Sequence, residues 1–109
     1  MPESIFATHA CLDSIVLYTT RAQECRDFYN ALGLAFGEEP DPVRDGPSRY
    51  TSRLPLGPVL EIQTAPDGHG ASDLRLSLAL DVTETDPPLS RGEHLLTDPD
   101  GRRVDVTVL

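Results

Sequence analysis

Apolar and polar positions change their period along this chain, and the changes mark out its elements. In LDSIVLYTT, residues 12–20, the β-formers Ile15, Val16, Leu17 and Tyr18 sit between polar ends and predict a short buried strand. TRAQECRDFYNALGL follows at once. There Ala22, Cys25, Phe28, Tyr29 and Leu32 recur at helical spacing, Thr19 or Thr20 can cap the start, and Gly33 can take the left-handed stop. LAFGEE predicts a short second strand, and PDPVRDGPS, with Pro40, Pro42, Gly46 and Pro47, predicts a loop. RYTSRLP and PVLEIQT flank a turn at Leu56 and Gly57 and read as a hairpin. In its second arm Val59, Glu61 and Gln63 alternate with Leu60 and Ile62.

After the turn-rich APDGHGASD, LRLSLALDV alternates again, with Leu74, Leu76, Leu78 and Leu80 on one face and Arg75, Ser77, Ala79 and Asp81 on the other. A period of two predicts a strand. TETDPPLSRG, residues 83–92, holds Pro87 and Pro88 and leaves room for no more than a broken helical turn. EHLLTD and RRVDVTVL are two strands joined by the turn DPDG, with Val104, Val106 and Val108 opposite Arg103, Asp105 and Thr107. An EF-hand would need oxygen ligands at further alternate positions and a terminal glutamate, so Asp98 and Asp100 read as structural.

Composition narrows the chemistry. The chain has 109 residues, enough for one domain with a real core. Eighteen acidic residues stand against nine basic ones, all arginine, and the net charge of -9 argues against nucleic acid or an acidic membrane as partner. The absence of lysine removes Schiff-base and P-loop chemistry. Cys11 and Cys25 lack CxxC spacing and are expected to be reduced core or near-core residues rather than a disulfide. MPESIFATHACLD has no basic residue and no long apolar run, so neither a signal peptide nor a membrane anchor is expected, and the cytoplasm is the default location. Arginine-only usage with much Ala, Gly, Pro and Asp points to a GC-rich bacterial coding sequence.

The ordered set SIVLYTTRAQECRDFYNALGLAFGEE, VLEIQT, LRLSLALDV and DPDGRRVDV resembles the glyoxalase, bleomycin-resistance and extradiol-dioxygenase superfamily, also called the vicinal oxygen chelate superfamily. The resemblance covers about residues 12–109. It implies a single α+β domain over 1–109, built of paired βαβββ modules whose sheets curl around a cleft for small molecules. Residues 1–11 would be an N-terminal extension, 12–65 the first module, and 73–109 an abbreviated second module with its helix reduced or missing. In metal-dependent relatives the ligands come from the first and fourth strand of each module, which fall here on Ser14, Glu61, Ser77 and Asp105. Serine replaces histidine at two of them. A neutral hydroxyl is a poor ligand for zinc, iron or nickel, and two carboxylates alone make an incomplete site, though magnesium or calcium could accept them with water.

The resemblance therefore implies a metal-free binder of a small organic molecule or antibiotic, with no cofactor. The competing expectation is a lyase, isomerase or dioxygenase using Glu61 and Asp105 as ligands of a divalent ion or as an acid-base pair, and a third is a non-catalytic assembly module. Ser14, Val16, Tyr18, Glu61, Gln63, Ser77, Ala79, Arg103 and Asp105 are the candidate ligand-binding residues, with Val59 and Thr107 of the same parity. Their side chains could equally fill a collapsed barrel. Each carboxylate could instead be neutralised by Arg75 or Arg103. His9, His69 and His94 lack ligand-like spacing and are read as surface or packing residues. Because the second module has no helix to cover its leucines and valines, either the segment around Ile5, Phe6 and Leu12 or a second subunit is expected to do so, which favours a homodimer.

Overall fold

The computed structural model describes residues 12–40, 49–55, 57–65, 74–81 and 85–109. His9, His69, Cys11, Ile5, Phe6, most of the first proline loop and the break after Ala65 lie outside the described residues. Strand β1, Ser14–Thr19, leads into helix α1, Ala22–Ala31, and then into β2, Gly37–Glu39, β3, Arg49–Arg53, and β4, Val59–Thr64. β5, Leu76–Leu80, β6, Gly92–Thr97, and β7, Arg103–Val108, complete the chain. Among the described residues the pattern of periods thus located every strand and the helix, to within a few residues at each end.

The helix starts differently from expectation. Arg21 occupies the N-cap and makes no side-chain cap bond. Thr19 Oγ1 instead accepts the Arg21 N–H at 2.8 Å, so the hydroxyl shapes the turn out of β1 rather than capping the helix. Glu24 in the first turn suits the positive helix end and also accepts from Arg21 Nε at 2.7 Å. Gly33, at φ 95°, stops the helix as its sequence position predicts.

The first sheet has the order β1-β4-β3-β2, with β1 parallel to β4 and the other neighbours antiparallel. A parallel pair needs a crossover, which α1 begins. The second sheet, β5-β7-β6, repeats that scheme with three strands: β5 runs parallel to β7 and β6 antiparallel to it. Together they make the paired-module α+β fold with an abbreviated second half. Strand parity divides each sheet into a core face, carrying Leu17, Leu60, Ile62, Leu76, Val104, Val106 and Val108, and an opposite open face.

Where a second helix would stand, residues 85–90 fold as a short segment without one. Thr85 is buried and accepts the Leu89 N–H at 2.9 Å. The Asp86 N–H donates to Ala31 O at 2.7 Å, satisfying a carbonyl at the end of α1. Leu89 packs against the core. The apolar face of β7 is not bare: Val104, Val106 and Val108 are 0%, 1% and 3% exposed. They share one cluster with Leu17, Cys25, Tyr29, Leu60 and Ile62. The sequence left the cover of this face to the segment around Ile5, Phe6 and Leu12 or to a second subunit, and Ile5 and Phe6 lie outside the described residues. Leu12 is itself 64% exposed, and α1 contributes Cys25 and Tyr29 to the core that both sheets share.

The two halves are tied by the DPDG turn. Asp98 Oδ1 accepts the N–H groups of Asp100 and Arg102, each at 2.9 Å, and Gly101 takes φ 86° to close the loop. Asp98 Oδ2 accepts from Arg102 Nη1 at 2.5 Å and from the Tyr29 hydroxyl at 2.7 Å. Arg102 Nη2 continues to Tyr18 O in β1 at 3.2 Å, and Arg21 Nη1 reaches Pro99 O at 2.8 Å. Burial opposes the charge on Arg102, but the Asp98 carboxylate outweighs it and holds the guanidinium protonated. Asp98 and Asp100 are structural, as their turn position implied.

Replacing Asp98 by alanine leaves the Arg102 guanidinium, 1% exposed, with only the more distant Asp100 carboxylate, 3.7 Å away. The expected loss is about 3–5 kcal/mol in urea unfolding. Tyr29→Phe removes one hydrogen bond to that carboxylate and is expected to cost about 2 kcal/mol. Burial, then the hydrogen bond and charge of Asp98, push the Tyr29 phenol well above its ordinary range. Burial likewise raises the Cys25 thiol. Both groups hold their protons more tightly when folded, so their contribution is intact below about pH 8.5 for the thiol and about pH 10 for the phenol, and falls as pH rises beyond. Urea midpoints across alkaline pH should decline, and less steeply in Tyr29→Phe.

Candidate functional site

The open faces carry the residues the sequence singled out. On the first sheet Ser14, Val16 and Tyr18 of β1 lie beside Val59, Glu61 and Gln63 of β4. On the second, Ser77 lies opposite Asp105 and Ala79 opposite Thr107, with Leu95 and Glu93 of β6 completing the rows. Ser14, Ser77, Ala79, Arg103 and Thr107 are exposed, and Tyr18 is 40% exposed.

The register sharpens one assignment. Asp105 is the direct partner of Ser77, and the equivalent partner of Glu61 in the first sheet is Val16, whereas Ser14 pairs with Val59 one row away. By the symmetry of the two halves, the residue beside Glu61 is an aliphatic one. The direct neighbours of the two carboxylates are thus a valine and a serine, neither of them an imidazole or a thiolate.

The carboxylates have other partners. Glu61 is 8% exposed, and its Oε1 lies 2.6 Å from Arg49 Nη1. The second amino group of Arg49 is 3.8 Å from Glu39, its cross-strand neighbour. Asp105 takes Arg103 Nε at 2.8 Å on one oxygen and Arg75 Nε at 3.6 Å on the other. Neutralisation by Arg75 and Arg103 thus occurs at Asp105. At Glu61 it is Arg49, which sequence reasoning missed. Its parity on β3, two residues before Thr51 across from Glu61, was the available signal. Each carboxylate is therefore held by arginine of its own sheet, not by the other carboxylate.

His94 keeps its ring on the Ser90 carbonyl, with Nε2 at 2.7 Å, and lies half-buried. Among the described residues no group of three or more His, Cys, Asp or Glu side chains is placed to hold a metal ion. Cys25 is a free, buried thiol, with Sγ 3.6 Å from Thr19 Oγ1. A depression of 260 Å³ opens on the second sheet, lined by Ser77, Glu93, His94, Leu95, Arg103, Asp105, Val106 and Thr107. Its lining is mainly hydroxyl and charged groups, with Leu95 and Val106 adding apolar surface. Among the described residues no helix is long and apolar enough to cross a membrane.

No protein-family model matches the chain, and no curated protein sequence does so either. Solved structures do match it over nearly its whole length. Oxidase ChaP-H2 superposes with a TM-score of 0.65 at 12% identity, covering 94% of this chain and 95% of that one. A glyoxalase/bleomycin resistance protein from Albidiferax ferrireducens T118 gives 0.59 at 20% identity, covering 90% and 98%. TnmS3, an antibiotic binding protein from Streptomyces sp. CB03234, gives 0.58 at 14% identity, covering 94% and 98%. The chain has the glyoxalase/bleomycin-resistance fold.

Removing the guanidinium beside Glu61 in Arg49→Met should leave a buried carboxylate uncompensated and cost about 2–3 kcal/mol in urea unfolding. Arg103→Gln, at an exposed pair, should cost less than about 1 kcal/mol. Equal losses at the two positions would contradict the burial difference between them.

Proposed function

We propose that this protein binds a small organic molecule, an antibiotic or a metabolite, on the open faces of its sheets without using a metal. One observation carries the reading: the carboxylates at the expected ligand positions are bound by arginine, and Val16, Ser14 and Ser77 beside them offer no imidazole or thiolate. The donor set does not fit a transition-metal centre. Ser14, Val16, Tyr18, Gln63, Ser77, Ala79 and Arg103 form the contact surface, with Tyr18 able to stack on a flat ligand. Two structural neighbours, one a glyoxalase/bleomycin resistance protein and one an antibiotic binding protein, support this class.

A second reading is favoured by the neighbour named as an oxidase. In that reading the chain is an enzyme, a divalent-metal-dependent lyase, isomerase or dioxygenase, with Glu61 and Asp105 freed from their arginines as ligands or as acid-base groups. Exposed Tyr18 and Leu95 on the open faces support a homodimer, in which a second copy closes the site. The free thiol of Cys25 suits a reducing cytoplasm.

A thermal-shift screen of planar antibiotics and aromatic metabolites, run with chelator and then with magnesium, manganese or zinc, separates the readings. Metal-free binding predicts stabilisation of about 2.7 kcal/mol at a hundred times the dissociation constant, unchanged by chelator. Stabilisation only in the presence of a divalent ion would favour the enzyme instead. Sedimentation at micromolar concentration should show a dimer, and a monomer there would remove the second copy from the site.

A further inference from the structure

Asp105 does more than lose its charge to a neighbour. Two guanidiniums converge on this one carboxylate, and both approach through Nε: Arg103 at 2.8 Å and Arg75 at 3.6 Å. In both pairs the contact with the carboxylate is made by Nε rather than by a terminal amino group. About ten N–H donors are set against about four lone-pair positions on the carboxylate. The cluster is one positive charge in excess, in a chain whose net charge is -9.

The surroundings suit a ligand better than bare solvent. Arg103 and Asp105 line the 260 Å³ depression together with the side chains of Ser77 and Thr107, and Leu95, 72% exposed, stands at its edge. Ser77 is the cross-strand partner of Asp105, so its hydroxyl lies in the same row as the charged cluster. Glu93, in the row of Thr107, marks the far side as unfavourable for negative charge and so fixes which end an anion would take.

We propose that Arg75 and Arg103, tethered through Nε to Asp105, form an anion-accepting subsite that takes the carboxylate of a small organic acid, whose apolar body lies over Leu95. This rests on the small-molecule-binding reading and deepens it by naming the ligand class. A guanidinium fork matches a carboxylate in geometry, and a pair of forks held by a third group needs little ordering when the ligand arrives. Asp105 is the positioning residue: it fixes two cations that would otherwise repel each other.

Benzoate and benzamide, matched in shape and differing in charge, are the probes, followed by calorimetry and by amide chemical-shift changes. Benzoate should bind at least about ten-fold more tightly than benzamide, with shifts at Ser77, Asp105 and Thr107. Arg103→Gln and Arg75→Gln should each weaken benzoate by about ten-fold and benzamide by much less, while Arg103→Lys, which keeps the charge and loses the fork, should recover only part. Because these side chains are exposed, all three variants should stay within about 1 kcal/mol of wild type in urea unfolding and remain folded in the binding experiment. Equal affinity for the two probes, or benzoate binding untouched in Arg103→Gln, would overturn the anion subsite while leaving neutral-ligand binding standing. Failure of both probes and of every compound in the wider screen would sink the subsite together with the reading beneath it.

Discussion

A single carboxylate, Asp98, decides whether the two halves of this chain form one molecule. Its oxygens organise the turn between β6 and β7, meet the buried guanidinium of Arg102 and receive the hydroxyl of Tyr29 from the helix. Arg102 then reaches the backbone of β1. Burying an ion pair costs desolvation of both partners, and such pairs are weak contributors unless hydrogen bonds complete them. Here nearly all are completed. The exception is Arg102 Nε, buried without a partner among the described residues.

That joint explains how the fold survives with one helix among the described residues. In a full pair of modules each sheet would have its own helix, yet α1 supplies Tyr29 to the turn of the second half and Cys25 to the core that also holds Val104 and Val106. The proline segment at 85–90 closes the remaining end by donating Asp86 N–H to the last turn of the helix. Economy of this kind puts more weight on each contact of α1, since the core of a small domain has few residues to spare.

Much of this was legible in the chain because strands and helices write their periods into it. LRLSLALDV and RRVDVTVL announce their faces, and FYNALGL announces a helix end. Glu61 and Asp105 were placed on the open faces by parity alone. Two things could not be read. The arginine that meets Glu61 comes from β3, and only the pairing register says which residues of two strands lie side by side. The cover of the valine face depends on how the sheets lie against α1, a long-range packing outcome that no local pattern encodes. The register also moved attention from Ser14 to Val16, because a shift of one row is invisible until the parallel pair is seen.

Every bond of the Asp98 joint lies at the turn, on the helix or along the backbone of β1, and none of them uses an open-face side chain. What holds the halves together and what forms the proposed contact surface are thus written in separate residues. Substitutions at Tyr18, Gln63, Ala79 or Thr107 can change the shape and polarity of the binding surface without disturbing the joint. A scaffold held together away from its open faces tolerates wide change upon them, and solved structures at 10–20% identity share this architecture.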